Sequence, residues 1–588
     1  WPQAAVINLQ QLDQLGAMSI YGYIDALDYS PQRRPPGQHF RAVKAYMAHH
    51  QGMVLAAIGN ALIDDILVRR TMAEKSLLAL EILLQERIPW DATTEKGRAH
   101  EVSEIPTQPL RAVAELWPWV PSNAATIPQM HMLGNGRMNT WLSEAGAGGL
   151  SWQGQAVTRW RPDGTRDAYG YWIYVKDVET AEVWSAGRLP TGEIGRESRT
   201  IFHQHLVDDF RRHRGVAVRV ETTVAPDDDV DIRRITVVNE GARARTIEFT
   251  SYAEVVLAPA IDDERHEAFS KLFVGSQFNW AQNGLIFERR VQRPGTLAPI
   301  LLHKAVFSSA DIQLVGYESD RGKFVGRNDS MRCPLGMRGE LSQTTGWTLD
   351  PIMALRLRVS LKPNETKHFA LLSIVAESAK SVNSIAARYS SASLDWVYRD
   401  SARVAAREVA GSHLEPGQLP AIQTLSALLI HPHASLRVVP AHVGNRRQSQ
   451  ASLWHYGISG DLPILLVRID RDDVSGLLAL MIRAQRHWRS VGLQVDLVIM
   501  RIGFTGYEDP LREKILTLLR DTSSTESLGR SGGIHLLAAD HMDSEARQGV
   551  EVAAHVVLDD DGVALQVKLD RILEHRATLP PLDAAMLP

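Results

Sequence analysis

Two acidic residues near the start of the chain have aromatic neighbours of the kind that surround sugars. Asp25 and Asp28 lie in a loop with Tyr21 and Tyr23, and such a mixture of carboxylates and rings is typical of carbohydrate clefts. Glycosidic chemistry uses two carboxyl groups, one as acid and one as base or nucleophile. The aspartates are therefore candidate catalytic residues, and the tyrosines are candidate substrate-binding residues. Because the aspartates are so close in sequence, we expect a partner acid from another helix; in the alternative, one caps a helix and the other pairs with a nearby arginine.

The segment YMAHHQGM, residues 46–53, places adjacent imidazoles inside a predicted helix. His49 and His50 point about 100° apart on a helix, and the i, i+4 spacing of helical zinc ligands is absent. We therefore predict no metal site, and we predict no cofactor. Two interpretations of the histidines stay open. Either His50 packs in the core on the apolar stripe of its helix, or Tyr46, the histidines and Gln51 face a polar cleft and bind sugar hydroxyls.

Composition and charge exclude several classes of protein. The 588 residues carry 64 Lys and Arg against 68 Asp and Glu, so no basic excess points to nucleic acid or an anionic membrane. Cys333 is the only cysteine, which excludes a disulfide framework and a thiolate zinc site within the chain. No apolar run approaches the ~20 residues of a spanning helix, and we find no signal peptide. The chain begins at Trp1 without an initiator methionine, and we expect it to be a piece of a longer protein.

Hydrophobic periodicity predicts four domains and a multidomain α+β fold class. Residues 1–100 are predicted to be helical, and residues 110–378 alternate with a period of two between short turns, as in a large antiparallel β-sandwich. Residues 379–460 are predicted to form a helical linker. Residues 461–580 alternate short apolar strands with helices, which predicts a small parallel α/β unit. This unit carries no glycine fingerprint of a nucleotide site, and we interpret it as a connector.

The pattern also predicts which residues of the helical segment face the core and where the strands of the sandwich turn. The helical segment has apolar residues at i+3 and i+4 steps, which predicts a core-facing stripe. The stripe consists of Val43, Met47, Val54, Ile58 and Leu62. In the predicted sandwich, turns between strands are expected at 239–241 and at 363–364.

The predicted sandwich also contains a second candidate sugar site. Aromatic residues there could form a platform on which sugar rings stack, while charged residues bind hydroxyls. The platform candidates are Trp152, Trp160, Tyr171 and Trp184, and the charged candidates are Arg159, Arg161 and Asp167. In the alternative, residues 159–161 are an exposed strand on which a guanidinium stacks over an indole. We expect Trp184 to lie in the core and Trp160 to be the more accessible ring.

The N-terminal segment resembles a known family. Residues 16–53 are similar to the end of the glucoamylase-like helical domain of cyclic β-1,2-glucan synthases. The shared residues are Tyr21, Gly22, Ala26, Asp28, Tyr29 and all of 46–53. The resemblance implies that residues 1–100 are the C-terminal part of an (α/α) barrel, the cyclising transglycosylase of that family. Asp25 stands where the family has a glutamate, and a misplacement of its carboxylate by about an ångström can cost ~10²-fold in rate.

A second resemblance covers the predicted sandwich. Residues 134–187, 268–274 and 452–469 are similar to motifs of glycoside phosphorylases of the cellobiose phosphorylase type, whose N-terminal sandwich also occurs in cyclic glucan synthases. Together the two resemblances imply an internal fragment of a bacterial cyclic β-1,2-glucan synthase. The implied partners are a β-glucan chain and the missing N- and C-terminal domains of the same synthase. The implied location is the cytoplasmic face of the inner membrane, without membrane contact by this segment itself.

Two functional hypotheses follow. In the first, the segment handles β-1,2-glucan chains during cyclisation by transglycosylation and length control. In the second, it is a non-catalytic carbohydrate-binding or scaffolding module. Whether the segment is an enzyme stays open, because the resemblance places most of the catalytic barrel outside it.

Overall fold

The computed structural model of the protein describes residues 2–30, 34–35, 37–74, 77, 116–121, 127–193, 195–291, 298–431, 451–470, 476–502, 510–522 and 524–574. The chain divides into two compact units, Trp1–Ala114 and Glu115–Pro588. Within residues 1–100 the sequence pattern also predicts a third helix at about residues 73–87, which lies largely outside the described residues.

The first unit consists, in its described part, of helices and two small hairpins. Its elements are α1 (Pro2–Gln14), β1 (Met18–Ser19), β2 (Gly22–Tyr23), β3 (Ala26–Asp28), β4 (Arg41–Val43), α2 (Ala48–Leu62) and α3 (Ile66–Met72). The strand β1 pairs with β2, and β3 pairs with β4, both in antiparallel register. Two short antiparallel strand pairs therefore hold the loop that carries Asp25 and Asp28.

The predicted core-facing stripe of this unit is wrong for the part that the structure describes. Helix α2 has no buried residue. All five residues of the predicted stripe are exposed, with Leu62 at 75% and Val54 at 54%. The reason is that α2 is apolar around most of its circumference, while the described elements of its unit leave these side chains uncovered.

The second unit contains the β-sandwich that the period of two predicted. Its strands are β5 (Met130–Gly134), β6 (Met138–Ser143), β7 (Gly148–Trp152), β8 (Gln155–Thr158), β9 (Trp172–Asp177), β10 (Val183–Ser185), β11 (Glu197–Phe202), β12 (Val207–His213), β13 (Val216–Val224), β14 (Val230–Asn239), β15 (Arg245–Pro259), β16 (Val274–Asn279), β17 (Gly284–Arg289), β18 (Ile300–Val306), β19 (Ile312–Asp320), β20 (Pro351–Leu361) and β21 (Thr366–Ala376). Short helices interrupt this series: α4 (Ala260–Arg265), α5 (Glu267–Ser270) and α6 (Arg321–Val325).

The strands form two large antiparallel sheets. One sheet has eight strands in the order β11-β12-β13-β14-β21-β18-β17-β16. The other has nine strands, with the path β10-β9-β15-β8-β7-β6-β5 and with β20 paired to both β15 and β19. The rings of Phe249 in β15 and Phe369 in β21 meet between the sheets at a centroid distance of 5.0 Å. The predicted α+β fold class is confirmed by these sheets and by the helices that follow them.

Both predicted turns connect one sheet to the other. Strand β14 lies in the eight-stranded sheet and β15 in the nine-stranded sheet, while β20 and β21 cross in the opposite direction. Asn239 joins the two crossings, because its Nδ2 donates to Arg243 O at 2.7 Å and to Lys362 O at 3.1 Å. Its own carbonyl accepts from Asn364 N at 2.8 Å. Both turns are therefore corners, where the chain passes from one sheet to the other. The buried Asn239 hydrogen-bonds to both corners.

Helices cover the outer face of the eight-stranded sheet. They are α7 (Ala379–Arg388) and α8 (Ser391–Gly411), whereas α9 (Leu419–Ile430), which precedes α10 (Ala451–Trp454), packs in the core of the α/β unit. Along β14, Ile235 and Val237 face the space between the sheets, whereas Val230 and Ile232 pack on these helices. Around Val230 and Ile232 the sheet is therefore buried on both faces, and β14 has no fully exposed side chain.

A small parallel sheet completes the second unit. Its strands are β22 (Ile464–Ile469), β23 (Asp496–Arg501), β24 (Ile534–Ala538) and β25 (Val556–Asp559), in the order β24-β23-β22-β25. Its helices are α11 (Gly476–Ser490), α12 (Pro510–Asp521), α13 (Ser544–Ala553) and α14 (Leu565–Glu574). The predicted α/β unit is thus present, and the strand order has β22 at its centre beside β23 and β25.

Among the described residues, no single helix is long and apolar enough to cross a membrane. Helices α2 and α3 meet the length and composition requirement only as a pair, and that pair is bent by 98°.

Candidate functional site

The Asp25 carboxylate in the first unit is held by the start of α2. Its Oδ1 lies 3.0 Å from Nδ1 of His50 and accepts from the backbone N–H of Met47 at 3.4 Å. The Asp25 side chain is 5% exposed and that of His50 is 46% exposed. Burial raises the pKa of Asp25, but the hydrogen bonds from His50 and Met47 and the nearby imidazole charges bring this pKa below its ordinary value. The carboxylate is therefore kept ionised.

This geometry decides one of the two interpretations of the adjacent histidines. His50 is half-exposed and pairs with Asp25, so the interpretation of His50 as a core residue is wrong. The ring of His49 meets that of His50 at a centroid distance of 4.2 Å. The side chain of Gln51 is exposed one residue further along the same helix. The described residues contain no group of three or more His, Cys, Asp or Glu side chains that could hold a metal ion.

The tyrosines of this loop have structural partners. The hydroxyl of Tyr46 hydrogen-bonds to Ser19 Oγ, and its ring meets that of Tyr21 edge-on at 5.7 Å. The hydroxyl of Tyr23 donates to Leu9 O at 3.0 Å. Tyr21 and Tyr46 therefore share one aromatic corner, while the Tyr23 hydroxyl is directed to helix α1.

Asp28 has a different environment from Asp25. Its Oδ1 accepts from Ser30 N at 2.9 Å, which is the local hydrogen bond of a turn. The two aspartates therefore have different hydrogen-bond partners. The Asp25 carboxylate bonds to the start of helix α2, and the Asp28 carboxylate bonds within its own loop.

Three of the four rings proposed as a sugar platform in the sandwich belong to its core. Trp152 is 1% exposed, and its Nε1 donates to Asp229 Oδ2 at 2.7 Å. Tyr171 and Trp184 are also buried between the sheets. The platform interpretation is therefore wrong for these three residues, because no face of their rings is available to a ligand. The expectation that Trp184 is core and Trp160 more accessible is confirmed.

Arg159 is a buried structural cation. Its Nε and Nη2 each donate at 2.8 Å to the two oxygens of Asp263, and its Nη1 donates to Glu254. Burial alone would lower the pKa of this guanidinium. The carboxylates of Asp263 and Glu254 raise the pKa by more than burial lowers it, so it lies above its ordinary value. The proposed role of Arg159 in hydroxyl binding is therefore wrong, since its donors are satisfied inside the protein. The alternative of an exposed strand is also wrong for Arg159, because this residue is buried and lies just after the end of β8. Arg161 is half-buried and donates to Glu267 Oε2 at 2.8 Å.

Trp160 lies in a cleft of about 640 Å³. It is half-buried, and its ring meets Trp141 at 5.6 Å and His431 at 6.0 Å, both edge-on. A Cβ at Gly149 would lie 2.8 Å from Trp160 Cβ, so the missing side chain at Gly149 lets the tryptophan settle against strand β7. Polar and charged residues also line the cleft, together with apolar ones such as Val256 and Leu462; the polar and charged ones include Gln153, Arg161, Arg489, Gln494 and Ser531.

Asp167 lines a second, more polar cleft of about 800 Å³. Glu144 and Arg188 also line it, and Arg159 borders both clefts. Burial raises the pKa of Asp167 against the opposing charge of Arg188, and burial likewise raises the pKa of Glu144. Two carboxyls with raised pKa values in one cleft are typical of sites that bind or exchange protons. Glu144 had no signal in the sequence, because a single glutamate after a strand resembles any surface residue.

The acidic turn at 226–230 is another feature that the pattern did not reveal. Asp229 accepts from Trp152 and, at 2.9 Å, from Arg137 Nε. Asp228 accepts from the hydroxyl of Tyr389 at 3.0 Å and from Arg388. By composition alone these aspartates resemble a solvated turn. In the structure they bond the turn to Trp152 in β7 and to Arg388 at the end of helix α7.

Comparisons with known proteins agree with this architecture. Residues 119–392 match the model of the glycosyl hydrolase 94 supersandwich domain. Over 522 residues, 87% of this chain and 18% of the relative, the sequence is 30% identical to a cyclic beta-(1,2)-glucan synthase of Rhizobium meliloti (strain 1021). Over 252 residues, 42% of this chain and 30% of the relative, it is 23% identical to an N,N'-diacetylchitobiose phosphorylase of Vibrio furnissii.

Among solved structures, a bacterial glucoamylase complexed with acarbose matches with a TM-score of 0.32 and 7% identity, covering 54% of this chain and 42% of that one. The chain spans less than a third of the length of the two curated relatives, 18% and 30% respectively. The resemblance stated from the sequence motifs is confirmed by the synthase relative and by the supersandwich match.

Proposed function

Because the chain carries a glycosyl hydrolase 94 supersandwich domain and is related over most of its length to a cyclic beta-(1,2)-glucan synthase, we propose that it handles β-1,2-glucan chains. The observation that carries the proposal is the cleft of the second unit that holds the half-buried ring of Trp160. In the longer protein this handling serves cyclisation by transglycosylation and the control of chain length. The partners are the glucan and the remaining domains of the synthase.

The chemistry of the Trp160 cleft suits a neutral, hydroxyl-rich ligand. An indole face stacks on the apolar face of a pyranose, while amide and hydroxyl groups nearby exchange hydrogen bonds with sugar hydroxyls. The ring of Trp160 supplies the stacking contact, and a longer glucan adds further hydrogen bonds along the cleft. Affinity should therefore rise with chain length and depend little on salt, because the ligand carries no charge.

Trp160→Ala should abolish glucan binding while leaving the fold intact. Isothermal titration calorimetry with β-1,2-glucan oligomers of increasing length, at low and high salt, measures both properties for the parent and the variant. Trp396→Ala is the matched control, since Trp396 is 53% exposed on α8 and does not line the cleft. Absence of binding by the parent would refute the proposal, and equal loss in both variants would show that Trp160 has no special role.

Asp25 is proposed as the acidic group of the transglycosylation step. Asp25→Asn should remove the activity, because an amide neither donates nor accepts the catalytic proton. Asp25→Glu should increase it, since the longer side chain restores the reach of the carboxylate. Incubation with linear β-1,2-glucan, followed by mass spectrometry for cyclic or redistributed products, measures the outcome. Asp64→Asn changes an exposed aspartate of the same unit and serves as the control. If both Asp25 variants match the parent, Asp25 is structural.

A second candidate function is a non-catalytic carbohydrate-binding or scaffolding module. It is favoured by the environment of Asp25, whose carboxylate is already engaged by His50 and Met47 and has a lowered pKa. Such a group is poorly suited to act as a general acid near neutral pH. The two candidates differ in turnover: the scaffold binds glucan by calorimetry and yields no new products in the incubation.

A further inference from the structure

The Trp160 cleft has two walls that come from distant parts of the chain. The sandwich supplies one wall, with Trp160 just after β8. The α/β unit supplies the other, with Gln494 before β23 and Ser531 before β24. The unit interpreted from sequence as a connector therefore contributes side chains to the candidate site.

Close packing fixes these two walls against each other. Gly492 has a φ of +87°, and a Cβ there would lie 2.0 Å from Cγ of Asn139 in β6. With its amide nitrogen turned toward Val491, Asn139 donates to Val491 O at 3.0 Å. Because separating the walls would break these contacts, the cleft is formed before any ligand arrives.

The wall from the α/β unit has the chemistry of hydroxyl recognition. Gln494 and Ser531 are exposed, and each can both donate and accept a hydrogen bond. Sugar hydroxyls have the same dual character, so each contact can form in either direction. Neutral groups of this kind, lining the same cleft as an aromatic ring, can fix the orientation of a ligand that the ring holds by stacking.

We propose that Gln494 and Ser531 bind the hydroxyls of the sugar residue stacked on Trp160. The α/β unit is then a specificity-determining wall of the glucan site. This inference rests on the proposed function, since it assigns the partners of the same ligand. It predicts that the ring supplies general affinity for glucan, while Gln494 and Ser531 supply the preference for the β-1,2 linkage.

The test compares three variants with the parent by calorimetric titration: the double variant Gln494→Ala/Ser531→Ala, Trp160→Ala and the control Gln566→Ala. The ligands are β-1,2-glucan and β-1,3-glucan oligomers of equal length, and each variant is first shown to melt like the parent. In the double variant Gln494→Ala/Ser531→Ala, the Kd for β-1,2-glucan should rise about tenfold or more, because two neutral hydrogen bonds are lost. The preference over the β-1,3 ligand should shrink in parallel. Gln566→Ala, an exposed glutamine of the same unit outside the cleft, should bind like the parent.

The outcomes separate this inference from the proposed function. If Trp160→Ala loses binding while the double variant keeps the affinity and linkage preference of the parent, the inference is wrong and the proposed function stands. If the parent binds neither oligomer, both are wrong. A tenfold weaker double variant with an unchanged control and a reduced linkage preference supports the inference.

Discussion

Replacing Trp184 with alanine should lower the free energy of unfolding of the second unit by about 3–5 kcal/mol, the range for truncating a large buried aromatic residue. Trp184 is 1% exposed, and its ring lies 4.9 Å from that of His213 in the main core between the sheets. The substitution leaves a void that the rigid strands around it cannot fill by relaxing. Thermal and urea-induced unfolding, followed by circular dichroism, measures the loss.

Trp160→Ala is the matched control for this experiment. Its ring is half-buried at the edge of a cleft, so its removal should cost much less stability than the loss of Trp184. The two variants should therefore behave in opposite ways: Trp184→Ala loses stability, and Trp160→Ala loses binding. A Trp160 variant as unstable as the Trp184 variant would contradict the assignment of Trp160 to a ligand surface.

Acidification from pH 7 to pH 5 should destabilise the second unit through its buried histidines. Burial lowers the pKa of His131 to about 4 and that of His303 to about 3. The unfolded chain binds a proton at each histidine below its ordinary pKa of about 6.5, so their stabilising effect is complete above that value and is lost as the pH falls toward 4. Each should cost about 2 kcal/mol at pH 5.

Carboxyls whose pKa is raised by burial oppose this trend; they are Glu144, Asp167, Asp209 and Glu408. Burial raises the pKa of Asp209 to about 6, so its protonation favours the folded state as the pH falls through 6. This gain is smaller than the combined loss from the two histidines. The measurement is the apparent melting temperature as a function of pH, for the parent and for His303→Gln. Glutamine does not titrate and can still bond to Ser251, the partner of His303 at 2.9 Å, so the variant should show a shallower slope. Equal slopes would contradict the assignment.

The sequence pattern predicted the β-sandwich because alternation with a period of two is a local property of each strand. It also placed turns at 239–241 and 363–364. It did not reveal that these turns cross between sheets, because a corner and a hairpin have the same local signal. That difference is decided by long-range contacts such as the bonds from Asn239 to Arg243 and Lys362.

The candidate site was predicted less completely than the fold. Trp152 and Trp160 were both candidates for the platform, and only the partner sheet decides that the first is core. Arg159 looked like a binding residue, but Asp263, which satisfies it, lies more than a hundred positions away. Gln494 carries no motif at all. It acquires a role only because Gly492 packs on Asn139 and so brings the α/β unit beside the sandwich.

The position of β21 bears on the order in which the sandwich is completed during synthesis. This strand, the last of the sandwich along the chain, lies between β14 and β18 in the eight-stranded sheet. Until it leaves the ribosome, β11–β14 and β16–β18 are two separate ribbons, and each has an unpaired edge facing water. Such edges are sites where foreign strands pair and aggregates begin. The nascent chain therefore depends on β21 for protection as well as for stability, and chaperones have their longest opportunity to act before residue 366 emerges.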